Sequence, residues 1–187
     1  MKVSRTELDG VLLVEPEVFG DARGFLFESY SKKKYERLGI AVDFVQDNHS
    51  FSEKGVVRGL HYQLDRAQAK LVRVTRGEVF DVAVDIRKGS PTFGKWVGAR
   101  LSGENHLQMF VPVGFAHGFC VLSETVEFLY KCSDYYSPED ERGIIWNDPD
   151  IGVDWLVDTP VLSNKDRSYP RLRDIDPNAL PPFQKLG

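Results

Sequence analysis

The segment Val57-Arg58-Gly59-Leu60-His61-Tyr62-Gln63 carries one of only four histidines in the chain, set between a guanidinium and an amide side chain. Its neighbours are apolar or aromatic, so a half-buried strand is expected there. A histidine in such a place can take and return a proton near neutral pH. His61 is therefore the first candidate for a general base. On a regular strand His61 and Gln63 share one face, and Arg58, Leu60 and Tyr62 share the other. A bulge at Gly59 would bring Arg58 round to the side of His61.

Other polar groups stand inside apolar runs. Lys70 leads a run in which Val72 and Val74 share its face. One reading is an ammonium snorkelling from a strand end, because a buried ammonium without an anionic partner is costly. The other is a cation that stabilises an oxyanion. Tyr130 lies in Phe128-Leu129-Tyr130-Lys131-Cys132, where a core tyrosine with a satisfied hydroxyl is the ordinary expectation. Tyr135-Tyr136 follows at the strand end, where an aromatic ring can cover a cleft. His49 and His106 read as surface or loop residues.

Metal chemistry is the next possibility. Small β-barrels of the cupin type hold a metal with a His-x-His pair followed by Glu and a later His. Pro112-Val113-Gly114-Phe115-Ala116-His117 matches one half of that pattern, but Gln63 stands where the second His should be, and Ala67 and Gln68 occupy the carboxylate positions. Two histidines without a nearby carboxylate are a poor ligand set. The expectation is a barrel with no metal and no cofactor.

The elements that must position these groups read mainly as strands. From about residue 42 to 132 short strands follow one another, the clearest over Glu78–Arg87, where apolar residues recur with period two. Turn signals separate them at Arg76-Gly77, Lys88-Gly89-Ser90-Pro91, Ser102-Gly103-Glu104-Asn105 and Val113-Gly114. Regular short strands without intervening helices indicate an all-β, antiparallel jelly-roll barrel. Before it, Val11–Val14 and Phe25–Tyr30 read as strands. Ser31–Gly39 reads as a helix, with Ser31 able to cap its start and Gly39 to stop it. Later, the segments around Trp146-Asn147-Asp148 and Asp154-Trp155 suit loops over a barrel mouth, and Ser163–Arg167 suits a polar turn. The tail from Arg171 is expected to wrap the surface. This amounts to one domain over 1–187, with N-terminal strands and a helix to about 50, a jelly-roll core over about 51–135, and loops and wrap beyond.

Composition narrows the partners. A net charge of −4 lacks the basic excess of a nucleic-acid-binding domain, while local Arg and Lys residues can still hold a small anion. Cys120 and Cys132 sit in apolar runs and read as buried free thiols. The opening residues have no apolar signal core, and no run approaches the ~20 apolar residues of a membrane-spanning helix, so the cytoplasm is expected.

Taken together, the segments resemble the deoxythymidine diphosphate (dTDP)-4-dehydrorhamnose 3,5-epimerase family, which are metal-free cupins. The motifs run from Asp21-Ala22-Arg23-Gly24-Phe25-Leu26-Phe27-Glu28 through Arg58–Gln63, Asp81–Arg87, Gly89–Gly94 and Val111–Phe119 to Ser163-Asn164-Lys165-Asp166. The resemblance implies an isomerase acting on a dTDP-4-keto-6-deoxyhexose, without cofactor or metal. It implies a base at His61 paired with Asp166, an enolate-stabilising cation at Lys70 and a proton donor at Tyr130. It also implies substrate contacts from Arg23, Glu28, Gln46, Asn48, Arg58, Gln63, His117, Tyr136, Glu141 and Lys165, with Tyr136 stacking on thymine. Family members work as homodimers in which an N-terminal segment reaches the neighbouring subunit, which would place Arg23 and Glu28 in trans. The sequence departs from the family at Leu64-Asp65-Arg66, where a Pro-containing loop is expected, and at Leu156, where Pro commonly follows Trp. Relatives epimerise only C3 or only C5 with nearly the same residues. A metal-dependent cupin enzyme and a non-catalytic nucleotide-sugar-binding module are the competing classes.

Overall fold

The computed structural model describes residues 1–183. In chain order its strands are β1 (Lys2–Arg5), β2 (Leu12–Glu15), β3 (Phe19–Asp21), β4 (Gly24–Leu26), β5 (Gln46–Glu53), β6 (Val57–Gln63), β7 (Lys70–Arg76), β8 (Glu78–Asp85), β9 (Trp96–Ser102), β10 (Gln108–Val111), β11 (Phe115–Val121), β12 (Thr125–Cys132) and β13 (Glu141–Gly143). Helix α1 (Lys32–Arg37) follows β4, and α2 (Asn164–Ser168) follows β13.

The strands build two facing antiparallel sheets. One has the order β1-β2-β10-β7-β12-β5 and the other β13-β6-β11-β8-β9. This is the jelly-roll architecture that the strand spacing indicates. β1, β2 and β13 belong to these sheets, while β3 and β4 pair only with each other, so the β-structure extends well beyond residues 51–135.

Period-two alternation explains how the layers pack. Val72 and Val74 of β7, Val126 and Phe128 of β12, and Val79, Ala83, Phe115 and Phe119 of the other sheet form one core between the sheets. Phe119 and Phe128 stack across it with centroids 4.2 Å apart. Burying one such ring contributes about 1.5–3 kcal/mol. The opposite face of β6, β8 and β11 presents Val57, Leu60, Tyr62, Val82, Val84, Ala116 and Cys120 to a second core with Trp155, Ile151, Leu172 and Leu180. The tail therefore wraps the five-stranded sheet. Trp155 is nearly fully buried there, beneath the outer face rather than over the barrel mouth. Its indole N–H donates to the carbonyl of Trp146 at 2.7 Å. Helix α1 seals part of the other sheet, burying Tyr35 against Gln108, Leu71 and Phe110.

Several local expectations are corrected. The strand expected over Phe25–Tyr30 is only Gly24–Leu26, closed as a small hairpin on Phe19–Asp21. Its apolar residues Phe19, Phe25 and Leu26 are exposed, so no core drives a longer strand. The Ser31 side chain makes no cap bond; its backbone carbonyl accepts from Lys34 and Tyr35 instead. Gly39 does take the positive φ that ends α1. Ser163–Arg167, expected as a turn, starts α2 with a genuine cap, the amide of Asp166 donating to Ser163 Oγ at 3.0 Å. Leu156 has φ of 59°, a conformation closed to proline. The amides of Leu64, Asp65 and Arg66 all donate to Asp140. A proline among them would remove one of those donors.

Candidate active site

A cavity of about 390 Å³ opens between the sheets. One wall comes from the six-stranded sheet. The register aligns Lys70, Cys132 and Gln46 in one row and Val72, Tyr130 and Asn48 in the next. Alternation then directs Lys70, Phe128, Tyr130 and Cys132 inward. The facing wall carries Arg58, His61 and Gln63 from β6 and His117 and Phe119 from β11, with Glu141 and Tyr136 completing the lining.

Arg58 shares this wall with His61 because β6 is irregular. His61 pairs with His117 and Arg58 with Phe119, so three steps on β6 oppose two on β11. The extra residue shifts the phase of the strand at Gly59. Only glycine fits there: φ is +133°, and a Cβ would lie 2.5 Å from the Cα of Gly118. Arg58 then reaches Ser52 Oγ at 3.1 Å.

His61 Nε2 lies 2.5 Å from Asp166 Oδ1. The second carboxylate oxygen accepts the Ser163 hydroxyl at 2.8 Å. Burial alone would raise the Asp166 carboxyl. The hydrogen bond and charge of His61, the Ser163 hydroxyl and the charge of Arg58 outweigh it and hold the group below the ordinary aspartate range. With Nε2 occupied, Nδ1 is the ring nitrogen left to exchange a proton.

Across the cavity, burial pushes the Tyr130 phenol up, and Arg58 offsets part of that. Burial likewise lowers the Lys70 ammonium, against the opposing influence of Cys132, Glu141 and Asp81. Lys70 makes no hydrogen bond or salt bridge among the described residues, which leaves its donors open to the cavity. Cys132 is a buried free thiol, as expected, but it also lines the cavity.

At the rim, the Tyr136 hydroxyl donates to Glu141 at 2.6 Å, an interaction that pushes the phenol up to about 12. Lys165 pairs with the same carboxylate. Burial would raise Glu141, but Lys165 and Tyr136 outweigh it and hold the carboxyl low. Gln46 bonds Asn48 and accepts the Tyr136 amide. Gln63 lines the cavity yet commits its amide to the backbone of Arg66, Tyr135 and Ser137. It therefore holds the loops at the mouth.

Arg23 and Glu28 do not reach this cavity within one chain. Arg23 is exposed on the β3–β4 hairpin and pairs with Asp21, and Glu28 pairs with Lys34. The sequence reading also passed over Asp81. It sits on the inward face of β8, where both carboxylate oxygens lie 3.0 Å from His117 Nε2. Its signal is a carboxylate flanked in phase by the apolar Val79 and Ala83.

The chain matches known proteins over nearly its whole length. The model of the family described as dTDP-4-dehydrorhamnose 3,5-epimerase covers residues 5–174. The protein of that name from Pseudomonas aeruginosa is 61% identical over 94% of this chain and 98% of its own. The crystal structure of dTDP-6-deoxy-D-glucose-3,5-epimerase from Legionella pneumophila, in complex with dTDP-4-keto-L-rhamnose, superposes with a TM-score of 0.96 at 54% identity, covering 98% of both chains. A 3'-monoepimerase from Streptomyces bikiniensis in complex with dTDP-quinovose superposes with a TM-score of 0.90 at 31% identity, covering 96% of this chain and 93% of that one. Motifs, architecture and likeness agree: the chain belongs to the dTDP-4-dehydrorhamnose 3,5-epimerase family.

Proposed function

We propose that the protein inverts C3 and C5 of dTDP-4-dehydro-6-deoxy-D-glucose to give dTDP-4-dehydro-L-rhamnose, as a step of activated-rhamnose synthesis. The observation that carries this reading is the placement of the His61–Asp166 pair on one wall of the cavity and Tyr130 and Lys70 on the other.

The 4-ketone acidifies the protons on both adjacent carbons. His61 takes the proton at Nδ1 as the C–H bond breaks, and the electron pair passes into an enolate. Asp166 stabilises the imidazolium so formed. Lys70 stabilises the enolate oxygen. Tyr130 then delivers its hydroxyl proton to the opposite face of the carbon and the ketone re-forms. The Tyr130 phenol is protonated at rest and made a weaker acid by burial, so it is the basic enolate beside Lys70 that draws its proton. Solvent restores neutral His61 and protonated Tyr130, so each inversion imports one solvent proton.

Arg58 supplies donors to the diphosphate, and Lys165 adds charge at the rim. Tyr136 stacks on thymine. Gln46, Asn48, His117 and Glu141 contact sugar and base. The protein works as a homodimer, the exposed hairpin and the residues just after it carrying Arg23 and Glu28 to the partner's cavity. Its exposed Phe19, Phe25 and Leu26 are the apolar surface such a contact would cover. No helix among the described residues is long and apolar enough to cross a membrane, in keeping with action in the cytoplasm.

Proton NMR of the keto sugar with the protein in deuterated water tests the reading. Deuterium should enter both C3 and C5. Uptake at one carbon alone would establish a mono-epimerase, the activity named for the Streptomyces bikiniensis structure that superposes at 31% identity. Tyr130→Phe should retain exchange at C3 while losing most of the inversion, because abstraction survives without the donor.

A further inference from the structure

The geometry points to Tyr169 as a positioning residue for His61, acting through its ring. We propose that this ring, seated on Gly143, fixes the imidazole plane that Asp166 alone leaves free to turn. The inference rests on His61 being the base.

A single hydrogen bond holds one point of an imidazole. The ring can still rotate about the axis of that bond, because the second side-chain torsion of histidine has broad wells. A second contact on the ring removes this freedom. Tyr169 supplies it, meeting His61 edge-on with centroids 5.8 Å apart and planes at 66°.

The seat of the tyrosine is specific. Gly143 on β13 is the register partner of His61 on β6. A Cβ on Gly143 would lie 2.4 Å from Tyr169 Cε2 and 2.6 Å from Cδ2, so the ring occupies the space where a side chain would stand. Next to it, Ile145 donates to the carbonyl of Pro170 at 2.9 Å, and Ile144 exchanges backbone hydrogen bonds with Leu60. The tyrosine is thus tied to the strand that carries His61. Tyr169 caps the end of α2, three residues after Asp166. One short helix therefore delivers both restraints: the carboxylate on Nε2 and the ring at its side.

The tyrosine hydroxyl is buried and has no hydrogen-bond partner among the described residues. The aromatic ring, not the hydroxyl, makes the contact. Tyr169 is also absent from the cavity lining, so it acts through His61.

The test uses the full chain, with kcat and KM for the keto sugar and ring NMR signals of His61. Tyr169→Phe should stay within about twofold of the parent, and Tyr169→Ala should lower kcat about tenfold with KM little changed, since small misplacements of a reacting group cost rate. Gly143→Ala should lower kcat further by driving the ring off its seat. Adding Tyr169→Ala to Gly143→Ala should restore activity to the level of Tyr169→Ala alone. Tyr169→Leu, which keeps apolar volume, replaces the alanine variant should that one not fold, and should also lower kcat. The His61 ring signals should be sharp in the parent and in Tyr169→Phe, and exchange-broadened in the alanine or leucine variant.

An unchanged kcat with an equally sharp His61 signal in the alanine or leucine variant would overturn the proposal. So would strictly additive losses in the double variant. Absence of deuterium uptake by the parent protein would instead overturn the epimerase reading, and the NMR signals would still decide whether Tyr169 orders the ring.

Discussion

Two histidine–aspartate pairs have their histidines on adjacent strands, and they differ in access. His61 is 28% exposed and Asp166 5%, whereas His117 is 8% exposed and Asp81 not at all. His61 and His117 are direct register partners. Asp166 comes from a peripheral helix and is held low by its partners. Asp81 comes from the middle of β8, where burial outweighs the charges of His117 and Lys70 and raises the carboxyl. The same two residue types thus give an accessible pair in one place and, in the other, a nearly buried pair whose histidine forms part of the cavity wall. A base must exchange its proton with substrate and solvent, which the first pair can do. The second is better suited to holding a wall in shape.

The largest expected effect separates the two directly. His61→Ala should lower kcat by about 10³-fold, within the range for loss of a general base. His117→Ala should cost about tenfold, through the cavity wall. Equal losses measured by turnover would break the contrast.

The carboxylates come next. Asp166→Asn should lower kcat by about 10²-fold or more, because an amide favours the wrong imidazole tautomer. Asp81→Asn keeps a hydrogen-bonding group of the same shape, and turnover should fall less.

Stability against pH sharpens the comparison further. Asp166 is lower in the folded protein than in the unfolded chain. Its contribution is present above the ordinary aspartate value and is lost as pH falls through the folded value. Asp81 is raised on folding, so its contribution is present below the ordinary value and is lost as pH rises through the folded one. Thermal melts should show Asp166→Asn removing part of the acid-side loss of stability. Asp81→Asn should remove a change of the opposite sign.

The smallest effect belongs to the rim. Lys165→Ala should raise KM a few-fold and leave stability within about 1 kcal/mol, because the lysine that is removed is half-exposed at the rim.

Much of this contrast was legible in the sequence. Alternation over β8 and β12 marked inward and outward residues, and the barrel followed from it. His61, Lys70 and Tyr130 stood out as polar groups in apolar runs. Regular alternation alone would have turned Arg58 away from His61; Gly59 was the clue to the shift, and the fit against Gly118 gives the reason. The pairing of His61 with Asp166 spans 105 positions, and no local pattern reports such a distance. Asp81 reads locally as one residue of a strand, and its partnership with His117 depends on strand pairing that local pattern does not report. Ser163 and Asp166 suit a turn as well as a helix cap. The burial of Trp155 depends on how the tail packs, which the sequence around it does not report.

The distance along the chain between His61 and Asp166 also bears on protein synthesis. β6 leaves the ribosome long before α2, and every strand of both sheets precedes α2. A nascent chain can therefore assemble both sheets while its histidine still lacks the aspartate. The elements that line the cavity are thus all translated before the helix that completes the dyad.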